Sequence, residues 1–179
     1  MIETTRLLIR PFKMEDATIF FEQLNNSKAH LENFFFKTLN ANQELQQTRE
    51  YILQKQKDME NKNGFVCCIF KKDDLQLIGS ISVRQIDWVV PKGELAYYIF
   101  KPFLGQKYAT EALTAFRDWC FTEHQFNRLY LRIATDNLAS IKTAEKCGFK
   151  LEGVLKNDYR RNNKELIDMN IYGYVGINK

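Results

Sequence analysis

The sequence predicts an α/β (α+β) fold built on one mixed sheet. Segments of strand pattern stand both before and after two central helical patterns, which argues for helices layered on a sheet. A strand, a helix and a strand follow one another across residues 93–135, and that order implies a parallel pair with a right-handed crossover. The chain has 179 residues, 45% hydrophobic and 27% charged, which suits a single domain (1–179) with a sizeable core.

The elements follow in order. RLLIRPF (6–12) reads as a first strand, ended by Pro11. Asp16 is placed to cap a helix running to about Asn25, with Ile19, Phe20 and Leu24 on its apolar side. Phe34, Phe35 and Phe36 stand in a row and fit neither helical nor strand alternation; they can plug the core or line a substrate entrance. Residues 42–62 form a long polar helix, ended by Asn63-Gly64. FVCCIF (65–70) is a strand, and LIGSISVRQID (77–87) and GELAYYIF (93–100) are two more, joined as a hairpin by WVVPK. From about 107 to 124, Ala109, Ala112, Leu113, Phe116, Trp119 and Cys120 form one helical stripe. RLYLRIAT (128–135) is a strand. DNLASIKTAEKCGF is a short helix closed by Gly148. FKLEGVLK (149–156) and IDMNIYGYV (167–175) are the closing strands, for a total of about 6–7 strands and about 4 helices.

Composition narrows the function. Net charge is +4 and the pI about 8.8, with no basic run and no basic-aromatic pattern, so an anionic ligand is favoured and nucleic acid is not. No apolar run approaches the ~20 residues of a membrane span, and the N-terminus lacks a signal-peptide pattern, so a cytoplasmic protein is expected. Cys67, Cys68, Cys120 and Cys147 lack metal spacing and lie in apolar segments, as buried thiols do; Cys67 and Cys68 should point to opposite faces of their strand. His30 and His124 belong to no ligand cluster, so no metal is expected. No GxSxG, Walker or GxGxxG motif occurs.

FLGQKYATEA (103–112) joins the strand at 93–100 to the following helix. A helix start leaves about four amides unpaired and carries partial positive charge, so it suits a phosphate. Leu104, Gly105, Gln106, Lys107, Tyr108, Ala109 and Thr110 would supply the amides, Lys107 a charge, and Ala109 and Ala112 close packing on the sheet. Glu111, in the first helical turns, suits the dipole and is read as structural.

Taken with TTRLLIRPFKMEDA, NLASIKTAEKCGFKLEGVLK and IDMNIYGYV, this stretch resembles the GNAT superfamily of acetyl-coenzyme A-dependent N-acetyltransferases. The likeness is nearest to the RimJ/RimL branch, the ribosomal-protein N-terminal acetyltransferases, and covers nearly the whole chain. It implies a V-shaped splay between strands 93–100 and 128–135 that holds acetyl-CoA. Pantetheine would pair with backbone near Leu95, Tyr97, Tyr98 and Ile99, and pyrophosphate would sit on the amides of Gln106 to Thr110. Asn137 and Ser140 match the Asn-x-x-Ser of the second motif. The superfamily loop usually carries a middle glycine where Lys107 stands; a lysine in right-handed helical angles would still present its amide.

The chemistry implied is attack of an amine on the thioester after loss of the ammonium proton. Glu94 is the first candidate base, with Glu152 and Asp168 as alternatives that suit structural roles. Ser140 is the candidate acid for the leaving thiolate, with Tyr159 second; Ser140 can also simply bond a backbone amide at its helix start. A backbone amide around Tyr97 or Tyr98 would polarise the carbonyl. The acceptor expected from the resemblance is a protein α-amino group. A small amine (polyamine, amino sugar or antibiotic) is the rival, and a catalytically weak acyl-CoA-binding protein a further reading. The aromatic run and the 42–62 helix could build a dimer contact or a substrate wall, so monomer and homodimer both stay open.

Overall fold

The computed structural model of the chain describes residues 1–176. Its strands are β1 (Ile2–Glu3), β2 (Leu7–Pro11), β3 (Phe65–Lys71), β4 (Leu77–Asp87), β5 (Lys92–Ile99), β6 (Arg128–Ala134), β7 (Lys150–Arg160) and β8 (Leu166–Val175). Its helices are α1 (Ala17–Asn26), α2 (Lys28–Asn40), α3 (Leu45–Glu60), α4 (Tyr108–His124) and α5 (Leu138–Lys146). The eight strands form one sheet in the order β1-β2-β3-β4-β5-β6-β8-β7. Every neighbouring pair is antiparallel except β5 and β6, which are parallel as the order strand, helix, strand demands.

The sheet separates two cores. On one face α4 buries Ala112, Leu113, Phe116 and Cys120 against Leu7, Ile9, Ile69, Ile81, Leu95 and Leu131. On the other, α1 to α3 bring Phe20, Leu24, Leu31 and Ile52 against Cys68, Phe70, Tyr98 and Phe100. Each fully buried side chain of this size contributes about 1.5–3 kcal/mol. Cys67 and Cys68 fall in different cores, as strand alternation requires, and all four cysteines are free and buried.

The counts exceed the sequence expectation by one strand or two and by one helix. β1 has only two residues and no period of its own; its register on β2 comes from pairing Ile2 with Ile9. The added helix is α2, which absorbs the phenylalanine run by breaking. Phe35 sits at φ −125°, ψ 27°, so the three rings leave the helix in different directions. Helix 42–62 is shorter than expected, because Glu44 caps it and Gln47 reaches back to the Glu44 amide. Asp16 does precede α1, yet its carboxylate makes no cap. It takes two bonds from Arg10, at 2.7 and 2.8 Å, and one from the Lys13 amide, pinning the entry of α1 to β2. At the end of α5, Gly148 takes φ +81°, as a C′ glycine does.

Candidate active site

The site begins where β5 and β6 part. They pair through only four rungs, Lys92 with Arg128 to Leu95 with Leu131. Beyond Leu95, β5 follows β4 to Ile99 while β6 follows β8 to Ala134, so a V-shaped gap opens. Backbone direction along β5 is set by its other neighbour. The Phe100 amide donates to the Ile78 carbonyl, so by antiparallel alternation Tyr98 and Ala96 also aim their backbone groups at β4. The remaining groups, those of Tyr97 and Ile99, face the gap. Of the four β5 residues expected to bind the pantetheine, Leu95 is already the last rung and Tyr98 belongs to the β4 ladder. The intimacy of that ladder shows at Gly79, where an added Cβ would lie 2.2 Å from the Tyr98 carbonyl oxygen.

At the mouth of the gap lies the start of α4. The first helical bond runs from the Glu111 amide to the Lys107 carbonyl, which leaves the amides of Tyr108, Ala109 and Thr110 without an intrahelical partner. Lys107 is the N-cap, and its backbone is not right-handed: φ is +64° and ψ 12°. The lysine adopts the conformation a glycine would supply, because Gly105, at φ +76°, and Lys107 together must fold the chain back onto the helix axis. The case of a right-handed lysine is therefore not the one the loop takes. Leu104, Gly105, Gln106 and Lys107 are exposed, whereas the Tyr108 ring is buried under Arg6, whose guanidinium lies 4.5 Å from the ring centroid. Arg6 also donates to the Gln106 carbonyl at 3.1 Å and to Glu111 at 2.7 Å. Thr4 and the Arg6 amide donate to the same carboxylate. Burial pushes the Glu111 carboxyl up, but these hydrogen bonds and the Arg6 charge outweigh it and hold it below its ordinary value. Glu111 is thus the peg that ties the loop to the N-terminal strands, in line with its structural reading.

Across the gap, Asn137 caps α5 by accepting from the Ser140 amide at 3.1 Å. That frees the Ser140 hydroxyl, which lies 2.9 Å from the Tyr97 hydroxyl. Burial pushes the Tyr97 hydroxyl up to about 12, although its bonds with Ser140 and Thr143 pull the other way; it stays protonated and able to donate.

On the opposite face of β5, Glu94 is 2% exposed. Its Oε1 accepts from Arg84 at 2.7 Å, while Arg132 Nη1 stands 3.9 Å from Oε2. Oε2 has no hydrogen-bond donor among the described residues, and neither does the Arg132 Nε have an acceptor. A buried carboxylate oxygen without a hydrogen-bond donor is rare in folded proteins. Arg84, which holds Glu94, also lines a cavity of about 340 Å³ together with Phe35, Tyr51, Ser82, Ala96 and Tyr98, while Glu94 itself lies outside the cavity wall.

The other expected residues sit elsewhere. Of the phenylalanine run only Phe35 lines the cavity, where its ring meets that of Tyr98 at 4.8 Å. Phe34 and Phe36 flank Tyr159, whose hydroxyl donates to the Phe34 carbonyl at 3.0 Å, committing the proton an acid would need. Glu152 is paired with Arg128 and Asp168 with Lys156, both on the β7–β8 side of the sheet. Sequence reasoning missed Arg6, Arg84, Arg132 and the Tyr97 hydroxyl. Arg84 was readable only through register, since it stands directly opposite Glu94 in the β4–β5 hairpin. Among the described residues no cluster of His, Cys, Asp and Glu could hold a metal, and no helix is long and apolar enough to cross a membrane.

A family model described as an acetyltransferase (GNAT) domain matches residues 6–150. The chain belongs to the GNAT acetyltransferase family. Its sheet and helices superpose on a RimL ribosomal L7/L12 α-N-protein acetyltransferase in complex with coenzyme A at a TM-score of 0.88, with 20% identity over 96% of this chain and 95% of that one. The ribosomal-protein-serine acetyltransferase of Escherichia coli K12 is 31% identical over 107 residues, 60% of this chain and 58% of its own length. The spermidine N(1)-acetyltransferase of the same organism is 25% identical over 151 residues, 84% and 76% of the two chains. As a GNAT enzyme the chain is an acetyl-CoA-dependent N-acetyltransferase. The residues present fit that cosubstrate. The gap offers Tyr97 and Ile99 backbone for an extended arm, and the left-handed Lys107 leads into three free amides for phosphate.

Proposed function

We propose that this enzyme acetylates the α-amino group of a peptide or protein, with Glu94 as the base. The observation that carries the reading is Glu94 itself, buried at the fork of the gap with no hydrogen-bond donor to its Oε2 among the described residues, and held by Arg84, which lines a cavity that has no carboxylate in its wall. A polyamine site needs carboxylates to hold its other cations, and this wall has none. The likeness to RimL and to the E. coli ribosomal-protein-serine enzyme supports a protein acceptor.

Acetyl-CoA, when bound, supplies an acetyl thioester. An α-ammonium group of pKa about 8 must first lose a proton, and Glu94 receives it. Arg84 holds that carboxylate through Oε1, and the Arg132 guanidinium stands 3.9 Å from Oε2. The Tyr97 backbone N–H, facing the gap, donates to the carbonyl oxygen as negative charge builds there. The Ser140 and Tyr97 hydroxyls, 2.9 Å apart, give a proton to the sulfur as the carbon–sulfur bond breaks. Gln106 to Thr110 hold the phosphates.

A panel of peptides and small amines, read by release of free thiol, tests the reading. Peptides should be acetylated, and Glu94→Gln should lower kcat by about 10²–10⁴ while acetyl-CoA binding is retained. Turnover of spermidine with no peptide acetylated, or full activity of Glu94→Gln, would refute it.

A further inference from the structure

The cavity lined by Arg84, the partner of Glu94, carries a charge pattern that acetyl transfer itself does not require. Lys37, Lys55 and Arg84 line it, and no Asp or Glu does. Lys55 pairs with Asp58 at 2.9 Å, and Arg84 with Glu94 at 2.7 Å, but neither carboxylate lines the wall. Lys37 has no ion pair among the described residues and is exposed. Three cations line the cavity, two of them paired with carboxylates outside its wall, and one of those carboxylates, Glu94, also has Arg132 at 3.9 Å.

The uncharged polar groups add to this. The Ser80 hydroxyl donates to the Cys67 carbonyl and that of Ser82 to the Ala96 carbonyl, so their protons are engaged. The Tyr51 hydroxyl makes no protein hydrogen bond among the described residues, and burial raises its pKa well above the ordinary tyrosine value, so it remains a donor. A ligand here meets positive charge and a hydroxyl donor. A polycation would meet like charge, which costs several kcal/mol on close approach.

The geometry sets the scale of the ligand. The cavity runs along β4 from Ser80 to Arg84, four residues or about 13 Å. An extended peptide with its amine at the Glu94 end would lay its first three or four residues along that length.

We infer that the acceptor carries a carboxylate within its first few residues, so that the substrate class is an acidic peptide N-terminus. The inference rests on the peptide reading above and adds the chemistry of the segment behind the amine.

The test compares kcat/KM for three tetrapeptide amides, Ser-Ala-Ala-Ala, Ser-Asp-Asp-Ala and Ser-Lys-Lys-Ala, with free aspartate and spermidine alongside. The acidic peptide should be preferred over the neutral one by about tenfold and over the basic one by more. High salt should shrink that ratio, and Lys37→Glu, a surface change whose folding is checked by circular dichroism, should abolish it. Equal rates for the three peptides, or preference for the basic one, would overturn the inference while leaving the peptide reading standing. If no peptide is acetylated the peptide reading fails, and the inference fails with it when spermidine outruns aspartate. Aspartate outrunning spermidine would uphold the anionic requirement on a smaller acceptor.

Discussion

Lys107 bears a backbone conformation suited to glycine, and substitution there separates two effects that are easily confused. A left-handed residue other than glycine costs roughly 1–2 kcal/mol, and φ is +64° here. Glycine returns about 0.5–1 kcal/mol of that through the entropy of the unfolded chain. Lys107→Gly should therefore stabilise the fold by about 0.5–1 kcal/mol, a rise in Tm of roughly 1–4 °C for a chain of this size. The lysine charge acts separately. A charge pair at about 4 Å is worth about 1 kcal/mol in water and more where water is displaced, and an exposed lysine stands near the lower figure. Loss of the charge should weaken acetyl-CoA by about fivefold, and its reversal in Lys107→Glu by about thirtyfold. Differential scanning calorimetry reads the first effect and isothermal titration the second. A Lys107→Gly protein less stable than wild type would refute the backbone argument. Wild-type affinity in Lys107→Glu would refute the placement of phosphate at this helix start.

Three further outcomes are expected. Tyr97→Phe and Ser140→Ala should each lower kcat by about tenfold or more with little change in acetyl-CoA affinity, and the double variant should be no worse than the poorer single, because the hydroxyls act as a pair; additive losses would separate them. Glu111 contributes stability above the ordinary glutamate pKa of about 4.3 and loses it as pH falls through its depressed folded value, so the Tm gap between wild type and Glu111→Gln should be full near neutrality and close below about pH 4; a gap constant from neutral to acid pH would contradict this. Gly79→Ala drives a methyl group to 2.2 Å from the Tyr98 oxygen and should cost about 3 kcal/mol, a fall in Tm on the order of 10 °C; an unchanged Tm would mean that β4 and β5 can part freely.

What could be read from the sequence follows from how local each cause is. The order β5, α4, β6 was legible because the stripe from Ala112 to Cys120 and the strands on either side each carry their own period. The phenylalanine run resisted assignment for a physical reason: three adjacent rings cannot share one helical face, and α2 answers by breaking at Phe35. Glu94 could be picked out by its place at the head of β5, but its clamp by Arg84 depends on cross-strand register and its approach to Arg132 on the β5–β6 pairing. The Tyr97–Ser140 bond joins residues 43 apart from two elements, and no pattern along the chain encodes it. At Lys107 the sequence showed only that a lysine stands where the family usually has glycine; that it takes the glycine-like left-handed angles is set by the fold of the loop.

The central claim is that the fork of the sheet and the start of α4 together hold acetyl-CoA. Residue-resolved amide hydrogen exchange, with and without saturating acetyl-CoA, tests it most directly. Slowed exchange at Tyr97, Ile99, Tyr108, Ala109 and Thr110, with the exposed β7 edge unaffected, is the predicted result. Protection confined to other parts of the chain, with these five amides exchanging as before, would contradict the account.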